Sequence, residues 1–229
     1  MQFPQAGPDL KPEMKGPQFL AWIVFIISYI TGMLSPTMTA FFALATGVIR
    51  KGGFPQMNMA YAQSVIPDEN TQMLGFLAIG STASSLIGWS PLLVHGLLTI
   101  AATTRDKAHL TGMYSTVVSM VEKTGLPQKI SDNQAQWWVM KHDVEVYLGV
   151  YLTLGILLAP TSIITAMLYW QIMRMRYLMN VACQQAFGRM DENISGLLGH
   201  RFCPGIFTKI YTWIRGFFKS QIDSMVQQA

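Results

Sequence analysis

The chain has 229 residues, of which 51% are hydrophobic and only 12% are charged, about half the charged share of an ordinary soluble domain. Its net charge is +4, but no segment alternates basic and aromatic residues, so the charge does not indicate a nucleic-acid partner. Charged residues are absent from 16–49, 70–104 and 146–173, and each stretch exceeds the roughly 20 apolar residues that cross a bilayer as a helix. This composition excludes an ordinary soluble domain and predicts an all-α, polytopic helical membrane protein.

The N-terminal segment, residues 1–18, contains four prolines. Because proline interrupts regular helix, this segment is predicted to be an extended tail. A helical membrane domain over 19–176 is predicted to follow it, with apolar runs at 19–49, 73–104 and 146–173.

A proline lies near the centre of each apolar run, at Pro36, Pro91 and Pro160. Proline kinks or breaks a helix, so each run is either one kinked span or two half-length helices in a hairpin. With three single spans, the sixteen Lys and Arg divide seven and nine between the two sides, whereas three hairpins place all sixteen on one side. Since basic residues concentrate on one side of membrane proteins, the charge pattern favours at least one hairpin.

Aromatic and basic residues flank the third run. Trp137 and Trp138 precede it, and Arg174 and Arg176 follow it. These residue types are enriched at membrane–water interfaces, so all four are predicted to lie in the headgroup layer.

The remaining residues, 177–229, are predicted to form a C-terminal amphipathic helical region. Apolar residues recur with helical spacing over 206–226, and basic residues lie largely on the opposite face. This pattern is typical of a helix lying in the headgroup layer, although packing on the protein's own spans would also explain it. The predicted headgroup contacts here are Lys209, Trp213, Arg215 and Lys219.

Candidate chemical groups are few. His95 is the ionisable residue well inside a run, and we expect it to bond a carbonyl freed by Pro91. His142, Asp143 and Glu145 stand just before the third run, where we expect them to be solvated or to contact headgroups. No phosphate-binding loop or hydrolase motif is present in the sequence, which predicts a non-enzymatic protein without cofactor, metal or small-molecule substrate.

Two cysteines, Cys183 and Cys203, form no CxxC pair and no metal-ligand spacing. The sequence leaves open whether either is lipidated. The predicted partners are the lipid bilayer with its anionic headgroups, and other membrane proteins.

Short features along residues 19–219 occur in a characteristic order. They are Val48-Ile49-Arg50 before Phe54-Pro55, Tyr61-Ala62-Gln63 before Asp68-Glu69, Pro91-Leu92-Leu93, Tyr169-Trp170-Gln171-Ile172, and Cys203-Pro204 before Phe207. In this order the chain resembles the transmembrane protein 33 family, also called the Krüppel homologue 2 family, which includes fungal Pom-type members of the nuclear pore membrane.

The resemblance implies a non-enzymatic scaffold or membrane-shaping protein of the endoplasmic reticulum or nuclear envelope. The alternative function is an accessory structural subunit of a large organellar membrane complex, such as a mitochondrial respiratory or ATP synthase assembly. That alternative predicts a mitochondrial inner-membrane location and stoichiometric partner subunits.

Overall fold

The computed structural model describes residues 10–80, 86–107, 109–158 and 162–199, together with seven positions from 205 to 216. Within these ranges the chain forms ten α-helices and two short 3-10 helices, and no β-strand, which confirms the all-α prediction. The chain divides into two compact units, residues 1–184 and 185–229. The first unit contains the three apolar runs, and each of them folds as a pair of helices.

The first apolar run forms two antiparallel helices, hairpin 1, composed of α1 (Lys15–Thr31) and α2 (Pro36–Gly52). Gly32 ends α1 in the left-handed conformation, with φ 67°, which glycine adopts without a steric penalty. Pro36 stands in the first turn of α2, where its missing N–H costs no helical hydrogen bond. The Lys11 N–H donates to the Arg50 carbonyl at 2.9 Å. The start of α1 therefore lies beside the end of α2.

The extended tail predicted for residues 1–18 is wrong for its last part. Pro12–Met14 form a 3-10 helix, and α1 begins at Lys15. Pro12 and Pro17 both lie in first turns, where backbone N–H groups have no intrahelical acceptor and proline is tolerated. Residues 1–9 lie outside the described part of the chain.

The second apolar run also folds back on itself, as hairpin 2. It consists of α4 (Glu69–Gly80), a 3-10 helix (Leu86–Trp89) and α5 (Ser90–Arg105). Pro91 lies in the first turn of α5 and does not kink it. Oδ1 of Asn70 lies 3.3 Å from Nε2 of His95, so the start of α4 returns to the middle of α5.

The third apolar run forms hairpin 3, from α8 (Gln134–Leu158) and α9 (Ile163–Met179). Arg176, near the end of α9, bonds Glu145 at 2.9 Å. Nearer the turn, Nε1 of Trp170 donates to Oγ1 of Thr153 at 2.8 Å. The two helices are therefore antiparallel. Pro160, the predicted break, lies between them and outside the described residues.

Hairpins 1 and 2 point in the same direction. The rings of Trp22 and His95 meet edge to face at 5.4 Å, and those of Phe25 and Trp89 lie 6.3 Å apart. Phe25 is nearer than Trp22 to the turn of hairpin 1, and Trp89 is nearer than His95 to the end of hairpin 2 where its helices are joined. The two hairpins therefore point in the same direction.

Hairpin 3 shares this direction. Arg176 on α9 bonds Gln72 in the first turn of α4 at 2.7 Å, and the Phe76 ring meets that of Tyr169 at 5.4 Å. Phe76 is nearer than Gln72 to the end of α4, and Tyr169 is nearer than Arg176 to the start of α9. Hairpins 2 and 3 therefore point in the same direction. The open ends of all three hairpins therefore lie at one side of the first unit, and the described helix ends that lead into the turns lie at the other.

Short helices connect the hairpins on the open-end side: α3 (Met59–Val65), α6 (Met113–Lys123) and α7 (Leu126–Asp132). Ile130 of α7 joins a core cluster with Val94, Leu98 and Ala101 of α5, which anchors this connector to hairpin 2.

The C-terminal region begins later than predicted. α9 continues to Met179 and α10 spans Val181–Leu198, so the boundary proposed at residue 177 lies inside a helix. The described positions of the amphipathic segment 206–226 are helical.

Two helical stretches among the described residues have the length and apolar composition of a membrane span. They are Pro12–Thr31, with 20 residues, and Ile87–Arg105, with 19 residues.

Candidate functional site

Four charged side chains lie in the protein interior at the open ends of hairpins 2 and 3. Glu69 is the first residue of α4, Lys141 and Glu145 are one turn apart on α8, and Arg176 is in the last turn of α9. Lys141, Glu145 and Arg176 have no solvent-exposed surface, and the Glu69 side chain is 23% exposed. Because buried ions are costly unless paired, their partners decide what the group can do.

Arg176 is the centre of this group. Its Nη2 donates to both carboxylate oxygens of Glu145, at 3.0 and 2.9 Å, and its Nη1 donates to Oε1 of Gln72 at 2.7 Å. Lys141 Nζ donates to Oε1 of Glu69 and lies 3.9 Å from Oε1 of Glu145. We call these four charged residues, with their polar neighbours, the buried polar network.

Histidine and amide side chains extend the network to hairpin 1. Nδ1 of His95 lies 3.9 Å from Oε2 of Glu69, and its Nε2 faces Asn70. Gln18 on α1 donates from Nε2 to Oδ1 of Asn70 at 3.2 Å. All three hairpins are thus joined through side-chain contacts at their open ends.

Two predictions about histidines are wrong. His95 bonds no carbonyl freed by Pro91 and instead faces Glu69 and Asn70, because α4 folds back beside it. His142 is buried rather than solvated, and its Nδ1 lies 3.1 Å from Oε2 of Glu145, also buried. Hairpin 3 places this pair against α4 and α9 rather than against water.

The charges of the network compensate one another. Burial alone would raise the pKa of both Glu69 and Glu145, but Lys141 and Arg176 hold both carboxyl pKa values below their usual range. Burial lowers the pKa of Lys141, although the same two carboxylates oppose that shift. Two anions face two cations, so the group is close to neutral overall.

This arrangement fixes the register of the hairpins. A buried ion pair adds little net stability compared with apolar packing, because desolvation offsets its attraction. Misplacing one partner, however, leaves a buried charge unpaired, which strongly disfavours any other alignment.

Among the described residues, no group of three His, Cys, Asp or Glu side chains could hold a metal ion.

The structure distributes the predicted headgroup residues differently from the expectation. Arg176 is completely buried, so its headgroup assignment is wrong. Its Nη2 donates to Glu145 of α8 and its Nη1 donates to Gln72 of α4, so this cation faces the protein interior. Trp137 and Trp138 are half-buried against the core cluster that contains Ile130.

The other predicted headgroup residues remain accessible or undescribed. Arg174 is half-buried, and Lys209 and Arg215 are exposed. Nη2 of Arg215 also pairs with Oδ2 of Asp191 at 2.8 Å. Trp213 and Lys219 lie outside the described residues.

A second feature is the apolar surface at the hairpin turns. Around the turn of hairpin 1 and the start of α9, large apolar side chains are exposed: Ile30, Met33, Leu34, Met38, Ile163, Ile164 and Met167. Exposed apolar side chains in such number are unfavourable in water, and where they form a patch they mark a membrane or protein contact.

Comparison with known proteins agrees with the resemblance noted in the sequence. Residues 19–222 match the family model described as transmembrane protein 33/nucleoporin POM33. No curated protein and no solved structure matches the chain. The family match gives no support to the accessory-subunit alternative.

Proposed function

Since the chain belongs to the transmembrane protein 33/nucleoporin POM33 family, we propose that it is a non-enzymatic scaffold that shapes the membrane of the endoplasmic reticulum and nuclear envelope. Family membership indicates a membrane protein of the endoplasmic reticulum or nuclear pore membrane. The shaping role is supported by the way the three hairpins are arranged.

The observation that carries the proposal is the shared direction of the hairpins. Their open ends are joined by the buried polar network, and their turns fall within the stretches 16–49, 70–104 and 146–173, which contain no charged residue. If the turns enter the bilayer from one face, all sixteen Lys and Arg stay on that same face, in keeping with the one-sided distribution of basic residues in membrane proteins.

The lengths of α1, α2 and α4 fit partial insertion, and α8, although it has 25 residues, is free of charged residues only from Val146 onward. α1 and α2 have 17 residues each, about 25 Å at 1.5 Å per residue, and α4 has 12 residues, about 18 Å. The hydrocarbon core is about 30 Å thick. Hairpins of these lengths occupy more of the leaflet they enter than of the opposite one. This difference favours a membrane that is convex on the inserted side.

Cysteine labelling in sealed microsomes tests the topology. In a background with Cys183 and Cys203 replaced by serine, we introduce Gln56→Cys, Thr124→Cys and Met33→Cys, one at a time. An impermeant maleimide added outside should label the first two, which lie in the two connectors. Met33→Cys, at the first turn, should react only after detergent is added. Labelling of Gln56→Cys and Thr124→Cys from opposite faces would overturn the proposal.

Reconstitution tests the shaping role itself. Purified protein should convert large vesicles into tubules or smaller vesicles as the protein-to-lipid ratio rises, measured by electron microscopy. If the vesicles keep their diameter at every ratio although the protein is inserted, the protein has no shaping activity and the proposed role is overturned.

A further inference from the structure

We propose that the two connectors between the hairpins form a second membrane contact, an interfacial collar that rests in the headgroup layer beside the open ends. Its members are Phe54, Met57 and Met59 in the first connector, and Met113, Val117 and Met120 on α6. This inference rests on the proposed one-sided insertion of the hairpins, and it assigns their connectors a ligand, the surface of the same bilayer.

The first connector exposes apolar side chains where an aqueous linker would carry polar ones. Phe54, Met57 and Met59 are all exposed, and Met57 is fully so. Phe54 is two residues beyond the end of α2, and Nζ of Lys11 lies 4.9 Å from the centre of its ring. The backbone of Lys11 in turn bonds Arg50. Phe54 therefore stands close to the boundary between the charged and the charge-free parts of hairpin 1, and Met57 and Met59 follow it within the same connector.

The second connector repeats this arrangement on α6. Met113 and Met120 are 61% and 62% exposed, and the spacing of Met113, Val117 and Met120 places them on one helical face. Ser115 and Ser119 are on the opposite face. α6 thus has an apolar stripe, and this stripe is not the face that packs on the protein, where Val118 is buried.

The second connector lies beside the start of α1. A Cβ atom at Gly16, the first residue of the charge-free stretch, would lie 2.7 Å from the Tyr114 ring of α6. Lys15 beside it pairs with Asp106 at 2.5 Å. The first turn of α6 is therefore at the depth where α1 leaves water.

This depth selects lipid as the occupant. The headgroup region adds about 5–8 Å to each side of the hydrocarbon core, so side chains within one helical turn of the boundary lie inside it. The exposed cation Lys123 lies at the end of α6, and Lys107, which pairs with Glu122 at 2.6 Å, lies before its start. Lysine beside apolar residues suits anionic headgroups. Methionine adapts to an irregular surface because its side chain is flexible and polarizable.

Fluorescence quenching in reconstituted vesicles tests the collar with the full chain. Single cysteines at Met57, Met120 and Ser119, in the background lacking Cys183 and Cys203, carry an NBD label. Vesicles of neutral and anionic phospholipid contain nitroxide either at the headgroup or deep in the acyl chain. Labels at Met57→Cys and Met120→Cys should be quenched by headgroup nitroxide about twofold more than the matched Ser119→Cys label.

A fourth label, at Met33→Cys, separates this inference from the proposed function. Deep nitroxide should quench it if hairpin 1 is inserted, and absence of that quenching would overturn the proposed function. The collar is decided by the other labels. Equal quenching of Met120→Cys and Ser119→Cys would overturn it. So would shielding of Met120→Cys from aqueous iodide without lipid quenching, because a protein would then cover this face.

Discussion

Nη2 of Arg176 donates to both carboxylate oxygens of Glu145, at 3.0 and 2.9 Å, although neither side chain has any solvent-exposed surface. The two residues come from opposite helices of hairpin 3 and also contact α4 through Gln72 and Glu69. One ion pair thus closes a hairpin and attaches it to its neighbour.

Replacing one partner of this pair should be far more harmful than replacing both. Arg176→Met leaves Glu145 buried without its main cation, and we expect a loss of about 3–5 kcal/mol in the free energy of unfolding. The double variant Glu145→Met with Arg176→Met should lose clearly less, because two apolar side chains replace the pair. Denaturant unfolding in detergent micelles measures both, with Lys123→Met at an exposed position as the control, expected within about 0.5 kcal/mol of the parent. Equal losses in the single and double variants would contradict this account.

The network should also make stability depend on acidity. The pKa of Glu145 is lowered to about 2: burial would raise it, but Arg176, the hydrogen bond from His142 and Lys141 together lower it. A carboxyl pKa that is lower in the folded state stabilises the fold at pH values above the unfolded pKa, near 4.5. We therefore expect thermal stability to fall from about pH 4.5 toward pH 2, as the unfolded chain takes up protons. The double variant of the previous paragraph should show a shallower fall over this window, and an equally steep fall would assign the effect to other carboxylates.

Close packing between hairpins 1 and 2 should make Gly96 intolerant of a side chain. A Cβ atom there would lie 2.6 Å from the Trp22 ring, so Gly96→Ala forces the two hairpins apart at about 1–3 kcal/mol. Gly188 is also helical but has no atom within 4 Å of such a Cβ position. Gly188→Ala should instead be neutral or stabilising by up to about 1 kcal/mol. Melting temperatures of the two variants check this contrast, and a stable Gly96→Ala protein would show that the hairpins pack less tightly.

The thiol of Cys183 should be unreactive in the folded protein. Burial, reinforced by the negative charge of Glu145, raises its pKa to about 12, so only about one thiol in 10⁴ is ionised at pH 8. With Cys203 replaced by serine, maleimide should label Cys183 only after unfolding. A cysteine introduced at the exposed Gln185, with Cys183 also replaced, should label at once. Rapid labelling of native Cys183, or its recovery with a lipid attached, would show that α10 opens around it.

The pattern of prolines and charges was sufficient to favour at least one hairpin, but it left a single kinked span open for each run. Pro36 and Pro91 both stand in first turns, since proline is disfavoured inside a helix but tolerated at its start. Single spans would divide the basic residues almost evenly, seven and nine, between the two sides of the membrane, and this division pointed to the same arrangement because basic residues concentrate on one side. These signals are local, so a single sequence contains them.

The buried polar network could not be predicted in this way. Glu69 and Lys141 are 72 positions apart, and nothing in either segment identifies the other as its partner. Arg176 stands just beyond an apolar run, where hydropathy alone cannot distinguish a lipid-facing cation from one turned inward. The sequence does place acidic and basic residues at the borders of the second and third apolar runs, namely Glu69, Lys141, Glu145 and Arg176.

The charge-free turns have a consequence for how such a chain is made. A hairpin whose turn has no charged residue can enter the bilayer from the side of synthesis without any charged segment having to be carried across. Its insertion would then require no channel that carries polar polypeptide across the membrane. The three hairpins could insert one after another as they leave the ribosome. The contacts of Lys141 and Arg176 with Glu69 and Gln72 would form last, once hairpin 3 has joined hairpin 2, and would mark the assembled molecule.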